Sequence, residues 1–144
     1  MQRMTPSDDF EWVHERYECS LNKVFNLLRK QVRDDVEARQ KMVPQEDFRL
    51  GPGASHVFAF VDGGNSFTVT LEGRGLNERV SFLREPHTIK ATNTNGELII
   101  EGSPTLNPEG ACVLKIGSKE YPIWYFRKLA LEELFFESGV TPQS

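Results

Sequence analysis

Ser66-Phe67-Thr68-Val69-Thr70-Leu71-Glu72 is the stretch that decides the fold. Apolar and hydroxyl side chains alternate at every step, so an extended chain here carries Phe67, Val69 and Leu71 on one side and a wet surface on the other. Turn formers flank it. Asp62-Gly63-Gly64-Asn65 precedes it as a hairpin turn, and Gly73-Arg74-Gly75 follows it.

The same two-residue period extends in both directions. Upstream, His56 to Val61 is apolar on both faces. Downstream, Arg79 to Arg84 carries Val80 and Phe82, and His87 to Thr92 carries Ile89 and Ala91. The turn Asn93-Thr94-Asn95-Gly96 leads to Glu97–Glu101. Asn107-Pro108-Glu109-Gly110 and Gly117-Ser118 bracket a strand from Ala111 to Ile116, and Lys119 to Pro122 holds a last short strand. Short loops and even turn spacing predict an antiparallel meander of about six or seven strands over residues 56–122.

Outside that block the period becomes helical. Pro6-Ser7-Asp8-Asp9 reads as a helix start, with Ser7 or Asp8 as cap. Phe10, Val13, Tyr17, Leu21, Val24, Leu28, Val32 and Val36 then recur every three or four positions and form one stripe, widened by Trp12, Phe25 and Leu27. Within this helical region, 7–41, an unbroken helix from Phe10 to about Gln40 would be about 45 Å long, more than a small domain can cover. A break or bend near Cys19-Ser20, with Ser20 capping a second helix, is the favoured resolution; the alternative is a long helix that overhangs and packs on a partner chain. Pro44 ends the helix and Gly51-Pro52-Gly53 belongs to a connection. At the other end, residues 123–137 form an apolar helix carrying Ile123, Trp124, Tyr125, Phe126, Leu129, Ala130, Leu131, Leu134, Phe135 and Phe136. The expectation is a single α+β domain, 1–144, with the terminal helices packed on one face of the sheet and residues 1–6 and 138–144 disordered.

The chain has 144 residues, 38% of them hydrophobic and ten of them Phe, enough for a core of large rings without staples. A net charge of −4 argues against a broad phosphate-binding surface, so nucleic acid is not an expected partner. The basic residues Arg29, Lys30, Arg33, Arg39 and Lys41 are interleaved with Asp34, Asp35 and Glu37 at i, i+4 spacing, which reads as a solvated, internally paired helix face. No apolar run has transmembrane length, so no membrane partner is expected. The first residues lack a signal-peptide core, and no Asn-x-Ser/Thr acceptor occurs. Cys19 and Cys112, one in the helical region and one in a strand, are expected as free buried thiols, with neither metal nor disulfide needed for folding. A reducing cytoplasm is the location these features suggest.

Catalytic chemistry finds little support. His14, His56 and His87 have no ligand partner at metal spacing, and surface or half-buried positions are expected for them, with no metal and no cofactor. Asp34-Asp35 and Glu132-Glu133 are neighbours that diverge on a helix, so neither pair makes a carboxylate dyad. Cys19 and His14 point to different sides of their helix. The glycine clusters are turns rather than phosphate loops.

The sharpest local feature is the C-terminal helix, which is apolar nearly all round and must be buried nearly all round, against the sheet and against the first helix or another chain. Arg127 and Lys128 within it need acids, from Glu132, Glu137 or the first helix. The sequence therefore points to a non-enzymatic protein-interaction or dimerisation module, with self or another protein as partner and Trp12, Leu134, Phe135 and Phe136 as the interface. The alternative is a small apolar-ligand binder with a cavity between curved sheet and helix, lined by Phe58, Phe60, Phe67, Phe82 and Trp124, with Tyr17 or Arg127 as polar contact.

Overall fold

The computed structural model describes residues 7–43, 56–73 and 75–137. Its elements follow the chain in the order α1 (Trp12–Glu18), α2 (Leu21–Gln40), β1 (Val57–Asp62), β2 (Ser66–Gly73), β3 (Leu76–Arg84), β4 (Ile89–Thr92), β5 (Leu98–Leu106), β6 (Cys112–Ile116), β7 (Lys119–Tyr121) and α3 (Ile123–Phe136). The seven strands pair in sequence order, each antiparallel to the next. The fold is thus an α+β meander with helices at both ends of the chain. The expected terminal segments 1–6 and 138–144, Pro44 and the Gly51-Pro52-Gly53 connection lie outside the described residues.

The turns form where positive backbone angles are needed. Gly64 closes the β1–β2 hairpin at φ +83° and Gly96 the β4–β5 hairpin at φ +78°, a region that costs a side-chain-bearing residue steric strain. Register then fixes the inner face. Phe67 stands opposite Phe82, Val69 opposite Val80, and Ala91 opposite Ile100. All six are buried. The alternate positions Thr68, Thr70 and Ser81 form the outer face, where Thr68 and Ser81 hydroxyls meet across the strands at 3.1 Å.

The rings form a continuous ladder across the core. Phe60 stacks on Phe67 with centroids 5.6 Å apart, Phe67 on Phe82 at 4.8 Å, and Phe82 approaches Phe126 of α3 at 6.5 Å, while Phe25 of α2 meets Phe67 at 5.1 Å. Such contacts add about 0.5–1.5 kcal/mol per pair beyond area burial. Val24, Leu28, Val32 and Val36 of α2 and Ala130, Leu131, Leu134 and Phe135 of α3 belong to the same apolar cluster.

The helical region does break at Cys19 and Ser20, and Ser20 Oγ accepts a hydrogen bond from the Lys23 N–H at 3.3 Å, as an N-cap does. The long stripe, however, is not buried along its length. Helix α1 buries none of its seven residues. Val13 and Tyr17, expected inside, are 65% and 61% exposed, as is Trp12 at 62%. The stripe is real as a periodicity, but only its α2 part is buried, while α1 lies beside β5 with its residues largely open.

Two further expectations are corrected. Cys19 and Cys112 are not free thiols. They form a disulfide with Cα atoms 5.5 Å apart, joining the α1–α2 break to the start of β6 across 93 residues of sequence. Arg39 is not on a solvated face. It is fully buried, because α3 folds across the end of α2 and supplies its partners.

Candidate functional site

Helices α2 and α3 are joined by hydrogen bonds from two arginines, Arg127 and Arg39, beside the groove between them. Arg127 Nε donates to Asp35 Oδ2 at 2.8 Å, and its Nη1 donates to Gln31 Oε1 at 2.7 Å. Asp35 is therefore paired across helices rather than with Arg39 along its own. Burial pushes the Asp35 carboxyl up from its ordinary value, against the opposing pull of the Arg127 guanidinium. One turn further, Arg39 Nε donates to the Phe135 carbonyl at 2.6 Å, near the C-terminal end of α3, where carbonyls lack helical partners. The Arg39 guanidinium lies 4.6 Å from the Phe58 ring centroid and 5.0 Å from that of Phe136. A cation between two ring faces is held by their negative electrostatic potential, an attraction that strengthens when water is excluded.

Above these contacts runs an open groove of about 380 Å³, lined by Ala38 from α2, by Met42 just past its end, and by Trp124, Leu131, Phe135 and Phe136 from α3. Asp35, Arg127, Lys128 and Glu132 border it. Lys128 Nζ lies 3.1 Å from Glu132 Oε1, so the rim carries both charges in pairs. Trp124 and Phe136 are 55% and 52% exposed, and Met42 is 44% exposed. The expectation that α3 is buried nearly all round fails here. One side meets the sheet, part of a second meets α2, and Trp124, Leu129 and Phe136 remain open.

The structure scatters the residues singled out as an interface. Leu134 and Phe135 pack inside the chain, with the Phe135 ring edge-on to Phe58 at 5.4 Å. Phe136 sits on the groove rim. Trp12 lies on α1, beyond the opposite end of α2, a helix about 30 Å long. The residues singled out for a ligand cavity are also divided. Phe58, Phe67 and Phe82 are buried, Phe60 packs against the same core, and Tyr17 is exposed on α1. Trp124 and Arg127 both border the groove. Met42, Ala38 and Arg39 were not readable as groove residues, because α2 periodicity says nothing about where α3 crosses it.

The N-terminal half of α2 carries a second polar cluster. Arg29 Nη1 donates to Asp62 Oδ1 at 2.5 Å and Nη2 to the Gly64 carbonyl at 2.6 Å, clamping the β1–β2 turn to the helix. The Gly64 N–H, donating at 3.0 Å, and the Arg29 and Arg33 charges hold the Asp62 carboxyl below its ordinary value against desolvation. Arg84 Nη1 donates to Asn22 Oδ1. These guanidiniums are spent on internal partners.

Among the described residues, no group of three or more His, Cys, Asp or Glu gathers as a metal site. His14 and His87 are exposed. His56 is fully buried, against expectation, and among the described residues neither ring nitrogen has a hydrogen-bond partner. Among the described residues, no helix is long and apolar enough to cross a membrane. Comparison with family models, with curated proteins and with solved structures finds no match.

Proposed function

We propose that this chain is a non-enzymatic interaction module that works as a homodimer, joined through the groove between α2 and α3. The observation that supports this is convergence. Met42, Trp124 and Phe136, three large and exposed apolar side chains, border one groove floored by Leu131 and Phe135. Exposed apolar surface gathered in one place is a common mark of a protein contact. A second copy is the occupant that the rim chemistry favours. In a twofold contact the same patch meets itself, so a rim of one sign would repel, whereas Asp35 and Glu132 beside Arg127 and Lys128 suit self-pairing. Leu134 and Phe135, buried in the chain, hold Phe136 at the rim instead of touching the partner. Nucleic acid is not the partner in this reading, since Arg29, Arg33 and Arg127 face acids of the same chain.

Light scattering tests the proposal. Wild-type protein at micromolar concentration is expected at twice the chain mass, and Phe136→Glu at the chain mass with an unchanged far-ultraviolet spectrum. Wild type that stays monomeric as concentration rises would contradict it.

A second reading rests on one observation. Trp124 and Arg127 border the same groove, whose volume falls within the range of small-ligand sites. Native mass spectrometry of protein purified from its source cells separates the two, by a retained small molecule or by a second subunit. As to location, the cytoplasm suggested by the sequence has the Cys19–Cys112 bond against it, because glutathione keeps cytosolic thiols reduced. Alkylation of free thiols in intact cells, before lysis, distinguishes a bonded pair from a reduced one.

A further inference from the structure

We propose that the Cys19–Cys112 disulfide is a redox latch on α1: a dithiol reductant opens it, and α1 then leaves the fold while α2, α3 and the sheet stay folded.

Helix α1 is short and open to water. It has seven residues, none buried, and its N-cap Glu11 makes no side-chain capping bond. Isolated helices shorter than about 12–15 residues are marginal in water, and protein helices owe their stability mainly to a packed face. Within residues 7–18 only Phe10 and Glu15 are even partly buried. The last turn of α1 is touched by Lys23, whose Nζ lies 3.9 Å from Glu18 Oε1 and 5.1 Å from the Tyr17 ring centroid. Exposed contacts of this kind contribute little to stability.

The residue that directly follows α1 is anchored very differently. Cys19 is 1% exposed, belongs to the apolar core, and is bonded to Cys112 at the start of β6. The bond therefore holds the C-terminal end of a helix whose other contacts among the described residues, beside β5 and the start of α2, bury none of its residues. The elements on either side do not depend on it in the same way. Helix α2 buries Val24, Phe25, Leu28, Val32 and Val36, and β6 buries Leu114 and pairs on both edges.

The chemistry follows from exposure. Cys112 is partly exposed while Cys19 is not, so a thiolate of the reductant attacks Cys112 Sγ. The S–S bond breaks, its electron pair leaves on Cys19, and that thiolate takes a proton from water. The second thiol of the reductant then attacks the reductant's own sulfur in the mixed disulfide, releasing Cys112 as a thiol and closing the reductant into its internal disulfide. The cystine gains two electrons and two protons, and the dithiol loses them. The products are a free Cys112 thiol, a buried Cys19 thiol that packs as a small apolar group, and an untethered segment carrying Trp12, Val13 and Tyr17.

Tryptic cleavage of the full chain under native conditions tests the latch, followed by mass spectrometry in three samples: oxidised protein, protein reduced with dithiothreitol, and Cys112→Ser without reductant. Arg16 reports α1, and Arg29 and Arg33 report α2. The expectation is cleavage after Arg16 at least about tenfold faster in the reduced and Cys112→Ser samples than in the oxidised one, with Arg29 and Arg33 in those samples still cut at least about tenfold more slowly than Arg16. Equal cleavage at Arg16 in oxidised and reduced protein would overturn the proposal, since the bond would not be what holds α1. Cleavage at Arg29 and Arg33 as fast as after Arg16 in the reduced protein would overturn it too, since α1 would then leave only together with the core. The reduced wild-type sample decides the matter even if Cys112→Ser fails to fold.

Discussion

At its N-terminal end α2 is held by a covalent bond and by polar clamps; at its C-terminal end it is held by rings around a buried guanidinium. Near the first end lie the Cys19–Cys112 bond, Arg84 on Asn22, and Arg29 on Asp62 and Gly64. Near the second lie Arg39 between Phe58 and Phe136, and Phe135 in the core. The first arrangement leaves the adjacent apolar helix, α1, open to water. The second packs its adjacent helix, α3, against the sheet and leaves only a rim of large side chains free. An end fastened by chemistry can be released by chemistry. An end fastened by packing comes apart only with the core, which makes it the better platform for a lasting contact.

Truncation at the packed end should do the most damage. Phe135→Ala removes a buried ring that meets both Phe58 and Phe136, and should cost about 3–5 kcal/mol in urea unfolding. A loss below about 1 kcal/mol would mean that α3 is not held through this ring. Opening the covalent end should cost less. Reduction, or Cys112→Ser, frees a span of 93 residues and should lower stability by about 2–4 kcal/mol without abolishing the cooperative transition of the core. A melting temperature indifferent to reductant, which free thiols would have implied, would contradict the bond. Next is Arg39→Met, which keeps the aliphatic stem but loses the charge between the rings and the bond to the Phe135 carbonyl. About 2 kcal/mol is expected by denaturant titration. A neutral result would show that the rings pack equally well without the cation.

The smallest effect contrasts two carboxylates, one at each end. Asp62 is held below its ordinary value of 3.8, chiefly by the Gly64 N–H. The folded state therefore binds its proton less readily than the unfolded state, and its contribution is present above pH 3.8 and lost as pH falls through the folded value. Asp35 is raised from 3.8 by burial, so its contribution has the opposite sign and is lost as pH rises through the folded value. Stability measured against pH should show Asp62→Asn flattening the acid limb below pH 3.8. Asp35→Asn should remove a decline that begins above it. The two variants changing the profile in the same direction would refute the assignment.

The sheet was legible from Phe67-Thr68-Val69-Thr70-Leu71 and its flanking glycine turns, because a two-residue period on half-buried strands fixes both conformation and face. The Cys19-Ser20 break was legible too, since Ser20 is a capping residue inside a helix too long for its sheet. What lay beyond reach depended on tertiary distance. Val13 and Tyr17 share a stripe with Val24 and Leu28, but a stripe does not say whether anything lies against it. Cys19 and Cys112 come together only because β5 and β6 return to the start of α2. Arg39 looked like one more charge on a solvated helix, and only the crossing of α3 turns it into a buried cap. The same crossing gathers Met42, Trp124 and Phe136, which no local pattern connects.

The central claim is that the chain pairs with itself through the packed end and not through the open one. Sedimentation velocity on oxidised wild type, Trp124→Glu and Trp12→Glu tests it most directly, because one charge is placed on the groove rim and the other on α1. The account predicts a dimer for wild type and for Trp12→Glu, and a monomer for Trp124→Glu. A monomeric Trp12→Glu beside a dimeric Trp124→Glu would contradict it and move the contact to α1.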